Sequence, residues 1–251
     1  MSKLSHAQIT ELFHLAFLDV LSKRLDPARY VLKGGANLRF FFASVRYSED
    51  IDIDISGEAP WGLEDQVDAV LNSPALKILL RVGDLSIAEF SKPKQTATTR
   101  RWKVGVGVSG RTEIVRTKIE FSNRGSEGTY SLDPIPSSVV APYALRSPSV
   151  QHYTDDAPGR QKIRALAGRS ETQARDVFDL DLLLRRRPLA DASLDAQILK
   201  DAADRALQLP YAAFRDQVLP FLEPDALELY EEEAAWEQMQ TFVAEKLEQA
   251  R

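Results

Sequence analysis

The sequence has no cysteine, which excludes disulfides, thiolate metal sites and cysteine nucleophiles and fits a reducing compartment. Histidine is scarce, with three residues in all. His6 and His14 fall in one helical stretch and His152 stands apart, none with a serine nucleophile in evident partnership, so hydrolytic catalysis lacks support. No apolar run approaches the roughly 18 residues of a membrane helix, and the polar start from Met1 to His6 carries no signal-peptide pattern. The expectation is a cytoplasmic protein with no membrane association.

What is there describes an ordinary globular chain. Its 251 residues are 44% apolar and 27% charged, enough to build a sizeable core. The length is long for one compact unit and short for two large ones, which suggests a domain with a helical extension. The net charge of -5 is unevenly placed. Residues 223–251 hold nine of the 37 acids and two of the 32 bases, leaving 28 acids and 30 bases for the rest. A nucleic-acid partner therefore stays open, and two windows are locally basic: Lys92 to Lys118 and Arg160 to Arg187.

Along the chain, Ser5 and Gln8 form a capping-box pattern ahead of apolar residues from Ile9 to Leu21 at helical spacing. A short apolar piece, Tyr30 to Leu32, meets Gly34-Gly35, and Ala36 to Ala43 has helical composition: strand, glycine turn, helix. Asp50 to Ile55 then alternates strictly, with Ile51, Ile53 and Ile55 on one face and Asp50, Asp52 and Asp54 on the other. A helix at Leu63 to Leu71 and strands at Leu85 to Phe90, Trp102 to Val108 and Ile114 to Phe121 follow, giving a mixed α/β sheet. Ser122 to Gly159 reads as linker or loop, and helices follow at Arg160–Gly168, Ser170–Arg186, Leu194–Leu207 and Asp225–Glu248. Domains are expected at 1–135 and 136–251.

The chemistry concentrates at Gly34-Gly35 and, fifteen residues on, Asp50-Ile51-Asp52. Paired glycines let backbone amides approach phosphate oxygens, and the following helix adds its positive end. Two aspartates at i and i+2 of a strand lie about 7 Å apart, and at an effective dielectric near 20 they repel by about 2 kcal/mol. A cation between them is expected, and Mg²⁺, with Mn²⁺ as a substitute, suits carboxylates and phosphates. The bland alternative is a solvated acidic strand face. The glycine turn and a later strand presenting Lys118 and Glu120 weigh against it.

Four segments occur in order. They are Val31-Leu32-Lys33-Gly34-Gly35-Ala36-Asn37-Leu38-Arg39 with Arg46-Tyr47-Ser48-Glu49-Asp50-Ile51-Asp52; Thr117-Lys118-Ile119-Glu120-Phe121; Gln161-Lys162-Ile163-Arg164-Ala165-Leu166 with Arg169; and Arg175-Asp176-Val177-Phe178-Asp179-Leu180. This set resembles the motifs of the AbiEii/AbiGii nucleotidyltransferase toxins, relatives of the DNA polymerase beta superfamily. The resemblance implies a nucleotidyltransferase-like mixed sheet flanked by helices, followed by a C-terminal helical bundle that completes the active-site cleft. It implies Asp50, Asp52 and Glu120 as metal ligands, and Gly34, Gly35, Ser48, Lys162, Arg169 and Asp179 as nucleotide-binding. Lys118 and Lys162 would stabilise phosphate charge, with Asp176 or Asp179 orienting Lys162 or the acceptor. It further implies an NTP substrate, a tRNA 3' end as acceptor and a cognate antitoxin as partner.

Each assignment has a simpler counterpart. Lys162, Leu166 and Arg169 share a helix face, and Arg175 with Asp179 is an i, i+4 pair, so ordinary helix salt bridging is the alternative for them. Arg185-Arg186-Arg187-Pro188 fits a helix C-terminus as well as an RNA backbone. Lys92 to Lys103, with Trp102 interleaved, suits a nucleic-acid strand by phosphate contact and stacking. Two other functions remain open: AMP or UMP transfer to a protein hydroxyl, and a non-catalytic nucleotide-binding module.

Overall fold

The capping box forms as expected: Ser5 Oγ accepts from the Gln8 amide at 3.2 Å, and Gln8 Oε1 from the Ser5 amide at 2.9 Å. It opens α1 (His6–Leu21), whose apolar residues are almost all buried. In this computed structural model, which describes residues 4–55, 62–123, 128–187 and 194–251, the chain divides into two units. The first comprises residues up to Phe41 and Tyr47–Tyr153, the second Phe42–Arg46 and Thr154–Arg251.

In the first unit, α1 is followed by β1 (Tyr30–Lys33), α2 (Gly34–Phe41), β2 (Asp50–Ile55), α3 (Leu63–Leu71) and α4 (Pro74–Leu80). Then come β3 (Leu85–Gln95), β4 (Thr99–Val108), β5 (Ile114–Ser122), β6 (Tyr130–Pro134), α5 (Ser137–Val140) and β7 (Ser149–Tyr153). The strands form one sheet in the order β3-β4-β5-β2-β1-β7-β6. It is mixed, because β2 runs parallel to β5 and β1 parallel to β7. Ile51, Ile53 and Ile55 join Trp102, Ile119, Phe121 and α1 in the core, and each fully buried isoleucine is worth about 2 kcal/mol in removed apolar surface. The period-two pattern therefore leaves Asp50, Asp52 and Asp54 together on the opposite face.

Ser122 to Gly159 departs from its reading as linker. Ser149–Tyr153 pairs with β6 and β1 in the sheet, so residues 136–153 belong to the first unit and not to the helices. These two strands are five residues each, and β6 lies at an exposed edge, so neither carries an alternating apolar pattern long enough to register as a strand. Residues 124–127 of that stretch lie outside the described residues.

The second unit contains α6 (Ala157–Gly168), α7 (Ala174–Arg186), α8 (Ala196–Gln208), α9 (Tyr211–Gln217), α10 (Pro224–Tyr230) and α11 (Glu233–Gln249). Its core packs Phe178, Phe214 and Trp236 with aliphatic residues of α6, α7, α8 and α11. Several boundaries differ from expectation, among them the start of α6 at Ala157 in place of Arg160. The helix expected from Ser170 starts at Ala174 without a side-chain cap. The one expected over Asp225–Glu248 is divided at Glu231-Glu232 into two helices. Segment Phe42–Arg46 joins this unit through a bridge from Arg46 to Leu222 and a 2.9 Å bond from the Glu223 amide to the Val45 carbonyl. Among the described residues no helix is long and apolar enough to cross a membrane.

Candidate active site

Gly34 sits at the β1–α2 junction with φ +66°, a left-handed conformation that costs a residue with a Cβ about 1–2 kcal/mol. A Cβ there would also stand 3.0 Å from Asp52 Oδ2. The glycine thus serves two needs, a reversal of the chain and room for a carboxylate. Gly34→Ala is expected to lower the unfolding free energy by about 1–2 kcal/mol in urea denaturation; an unchanged midpoint would show that neither constraint holds.

The sheet register decides what surrounds the acids. Lys33 of β1 lies opposite Asp52, which lies opposite Glu120 of β5, which lies opposite Arg101 of β4. In the adjacent row Asp50 is opposite Lys118, and Lys118 opposite Lys103. Lys118 Nζ contacts Asp50 Oδ2 at 2.8 Å, and Arg101 Nη2 contacts Glu120 Oε2 at 2.6 Å. Asp54 is buried, taking Lys33 Nζ at 2.5 Å and the Tyr153 hydroxyl at 2.9 Å. Ser48 donates to the Asp50 carbonyl at 2.8 Å, which fixes the entry into β2.

Asp52 is the exception on this face. Its carboxylate makes no hydrogen bond or ion pair among the described residues. Burial raises its pKa above the ordinary carboxylate value, and Asp50 and Glu120 push it further up against the pull of Lys118 and Lys33. An acid held where its ionised form is disfavoured, with two more carboxylates close by, is chemically suited to a divalent cation. The three carboxylates are not gathered into one cluster: among the described residues no group of three or more histidine, aspartate or glutamate side chains is arranged to hold a metal. Asp50 and Glu120 are turned to their basic partners instead.

The residues expected in the helical unit form a cluster within that unit. Lys162 Nζ lies between Asp176 Oδ1 at 2.9 Å and Asp179 Oδ2 at 2.6 Å, and Arg169 Nε is 2.9 Å from Asp176 Oδ2. Arg46, which the sequence reading had not singled out, closes the cluster, with Nη2 2.9 Å and Nε 3.2 Å from Asp179 carboxylate oxygens. Burial opposes ionisation of Asp179, but Arg46 and Lys162 outweigh it and hold its pKa below the usual range. Lys162 is likewise driven down by burial and up by Asp176 and Asp179, and the balance is upward. The helix face expected from spacing is present, and its partners are carboxylates of the next helix.

Other expectations are corrected. Trp102 is buried against Phe121, with Nε1 donating to Asp68 at 2.8 Å, so it offers no stacking platform. Lys92 is engaged by Glu64 and Asp68, and Arg116 by Glu89. Arg185 pairs with Asp181 and Arg187 with Asp155, the simpler reading for that basic run, whose Pro188 lies outside the described residues. His14 donates through Nε2 to Thr117 Oγ1 at 2.8 Å, since that hydroxyl spends its proton on the Glu49 carbonyl, and burial pushes its pKa down to about 3. His152 does reach a serine, Ser131 at 3.5 Å, yet both lean on Asp133, and Phe41 stacks on the imidazole at 3.5 Å. A cavity of about 360 Å³ in the helical unit, bordered by Phe178, Asp181 and Tyr230, is lined by none of the expected site residues.

A glycine-opened helix beside an acidic strand in a mixed sheet fits the class to which the family match assigns the chain, a nucleotidyl transferase, an enzyme that takes its nucleotide from an NTP. The chain belongs to the AbiEii family: the family described as nucleotidyl transferase AbiEii toxin of a type IV toxin–antitoxin system matches residues 16–249. That membership implies an antitoxin partner. The fold is similar to the crystal structure of JHP933 from Helicobacter pylori, with a TM-score of 0.63 and 20% identity over 99% of this chain and 96% of that one. It is also similar to a second H. pylori chain, solved as a candidate nucleotidyltransferase, with a TM-score of 0.60 and 20% identity over 99% of both. No curated protein matches.

Proposed function

We propose that this toxin transfers a nucleotide from an NTP to the 3' end of tRNA, with Mg²⁺ or Mn²⁺ held by Asp50 and Asp52 and with Glu120 as the neighbouring third carboxylate. The observation that carries the metal assignment is Asp52, a carboxylate set between Asp50 on its own strand and Glu120 on the next that makes no hydrogen bond or ion pair among the described residues. A divalent ion supplies charge neutralisation for the α-phosphate and lowers the pKa of an attacking hydroxyl. The chain's own residues do the rest. Gly34 and Gly35 leave backbone room for phosphate oxygens at the start of α2, Ser48 fixes the strand that carries the acids, and Lys118 adds positive charge beside Asp50.

The helical unit's share rests on its motifs. Lys162 is assigned to phosphate, with Asp176 and Asp179 orienting its ammonium, and Arg169 to the nucleotide. The tRNA acceptor rests on the family resemblance, and a cytoplasmic location follows from such a target. Purified protein incubated with labelled NTPs, Mg²⁺ and total RNA is expected to label tRNA, and EDTA or Asp52→Ala to stop it. Label migrating with protein would replace the acceptor, and equal labelling by Asp52→Ala would refute the metal site.

A further inference from the structure

Charge on the polar face of the sheet changes sign outward from β2. Reading outward from β2, one row runs Asp50, Lys118, Lys103 and Ser91, and the next runs Asp52, Glu120, Arg101 and Lys94. The inner positions are acidic, and the four positions Lys118, Lys103, Arg101 and Lys94 are all basic. Lys118 and Arg101 are matched by Asp50 and Glu120. Lys103 and Lys94 are exposed and make no ion pair among the described residues. Beyond Lys103 β3 offers Ser91, and the next carboxylate on that face of β3, Glu89, is held by Arg116.

We propose that this outer half of the face, with Lys103 and Lys94 as its ligands, holds the sugar–phosphate backbone of the acceptor RNA. The inference rests on the RNA-acceptor reading above. Two lysines on adjacent strands, backed by two more cations one position inward, present a positive strip that starts beside the acidic pair. A polyanion is attracted to that strip, while its terminal hydroxyl is left toward the acids. With Trp102 buried, its ring is not offered for stacking, so binding at these lysines reads phosphate and not base. The competing account is edge protection. Lys94 lies on the edge strand β3, next to Pro93 and a break in register, features that block strand-to-strand aggregation. Lys103, on the interior strand β4, has no such role.

The test compares Lys94→Gln/Lys103→Gln with Lys94→Arg/Lys103→Arg and the unaltered protein, using tRNA as acceptor and measuring KM for tRNA and for NTP against salt. The glutamine variant is expected to raise KM for tRNA about tenfold, with kcat and KM for NTP within about twofold. The slope of log KM against log salt should become shallower by about 1.4–2 for two lost phosphate contacts. The arginine variant should restore both. Unchanged tRNA KM and salt slope would overturn the proposal while leaving RNA transfer intact. So would aggregation of the glutamine variant with unchanged KM in its soluble fraction, which assigns the lysines to edge protection. If the unaltered protein labels no RNA, the acceptor reading falls first and this surface with it.

Discussion

Asp52→Asn is expected to reduce nucleotide transfer by about 10³-fold or more while leaving the protein as stable as before. The loss follows from removing a carboxylate on the polar face that makes no hydrogen bond or ion pair among the described residues, where a metal and its phosphate ligands demand negative charge. The retained stability follows from the same feature. Burial, then Asp50 and Glu120, raise the pKa of Asp52, so the folded protein favours its neutral form. Whatever stability that raised pKa contributes is present at low pH and is lost as pH rises through the folded value. Asparagine, neutral at every pH, escapes that loss. Scanning calorimetry at pH 7 should therefore give a Tm equal to or above that of the unaltered chain. A Tm lowered by several degrees would show that the Asp52 charge is structurally satisfied, and transfer within tenfold of normal would remove it from the chemistry.

Asp179→Ala should behave in the opposite way, with a destabilisation of about 3–5 kcal/mol. Arg46 and Asp179 have side chains 3% and 0% exposed, and Lys162 reaches the same carboxylate. Deleting the acid removes the carboxylate that Arg46 and Lys162 share and leaves Lys162 only Asp176, which is the costly way to break such a pair. Hydrogen exchange on the intact chain would locate the loss in α6 and α7. The pH dependence has a definite sign. The pKa of Asp179 is held below its unfolded value, so its contribution is complete above the ordinary carboxylate range and fades as pH falls through the folded value. Lys162 has a raised pKa, so its contribution is complete below the ordinary lysine value and fades as pH rises through the folded one. A plateau between these limits is expected, with acid loss in the normal chain and a weaker acid dependence in Asp179→Asn. Protection of α6 and α7 that is unchanged in Asp179→Ala would show that Arg46 and Lys162 find other partners.

Much of the candidate site was legible before any tertiary contact. The alternation of Asp50–Ile55 sorts its residues onto two faces whatever the neighbouring strands are, because the side-chain period of a strand is two. The capping box at Ser5 and the glycine turn at Gly34 are equally local, since each depends on dihedrals and hydrogen bonds within a few residues. The short strands of the 130–153 region escaped notice because five residues in a Ser- and Pro-rich stretch carry too little pattern. Trp102 was misread because a tryptophan between lysines looks the same in sequence whether its ring faces solvent or core.

Charge pairing belongs to the other category. The acids and bases were visible as residue types, but which base answers which acid depends on strand order and register. Parallel pairing of β2 with β5 sets Lys118 beside Asp50 and Glu120 beside Asp52, and a shift of β5 by one residue would have sent Lys118 and Glu120 to the core. Arg46, four residues before Asp50, is carried away to the helical unit by its bridge to Leu222, a contact across 176 positions. The sequence by itself determined the acidic strand, the glycine turn beside it and the family they point to. Only the tertiary structure decided that Asp52 makes no ion pair among the described residues while Asp50, Asp54, Glu120 and Asp179 do, because electrostatic pairing is set by distance in space, which local chemistry leaves open.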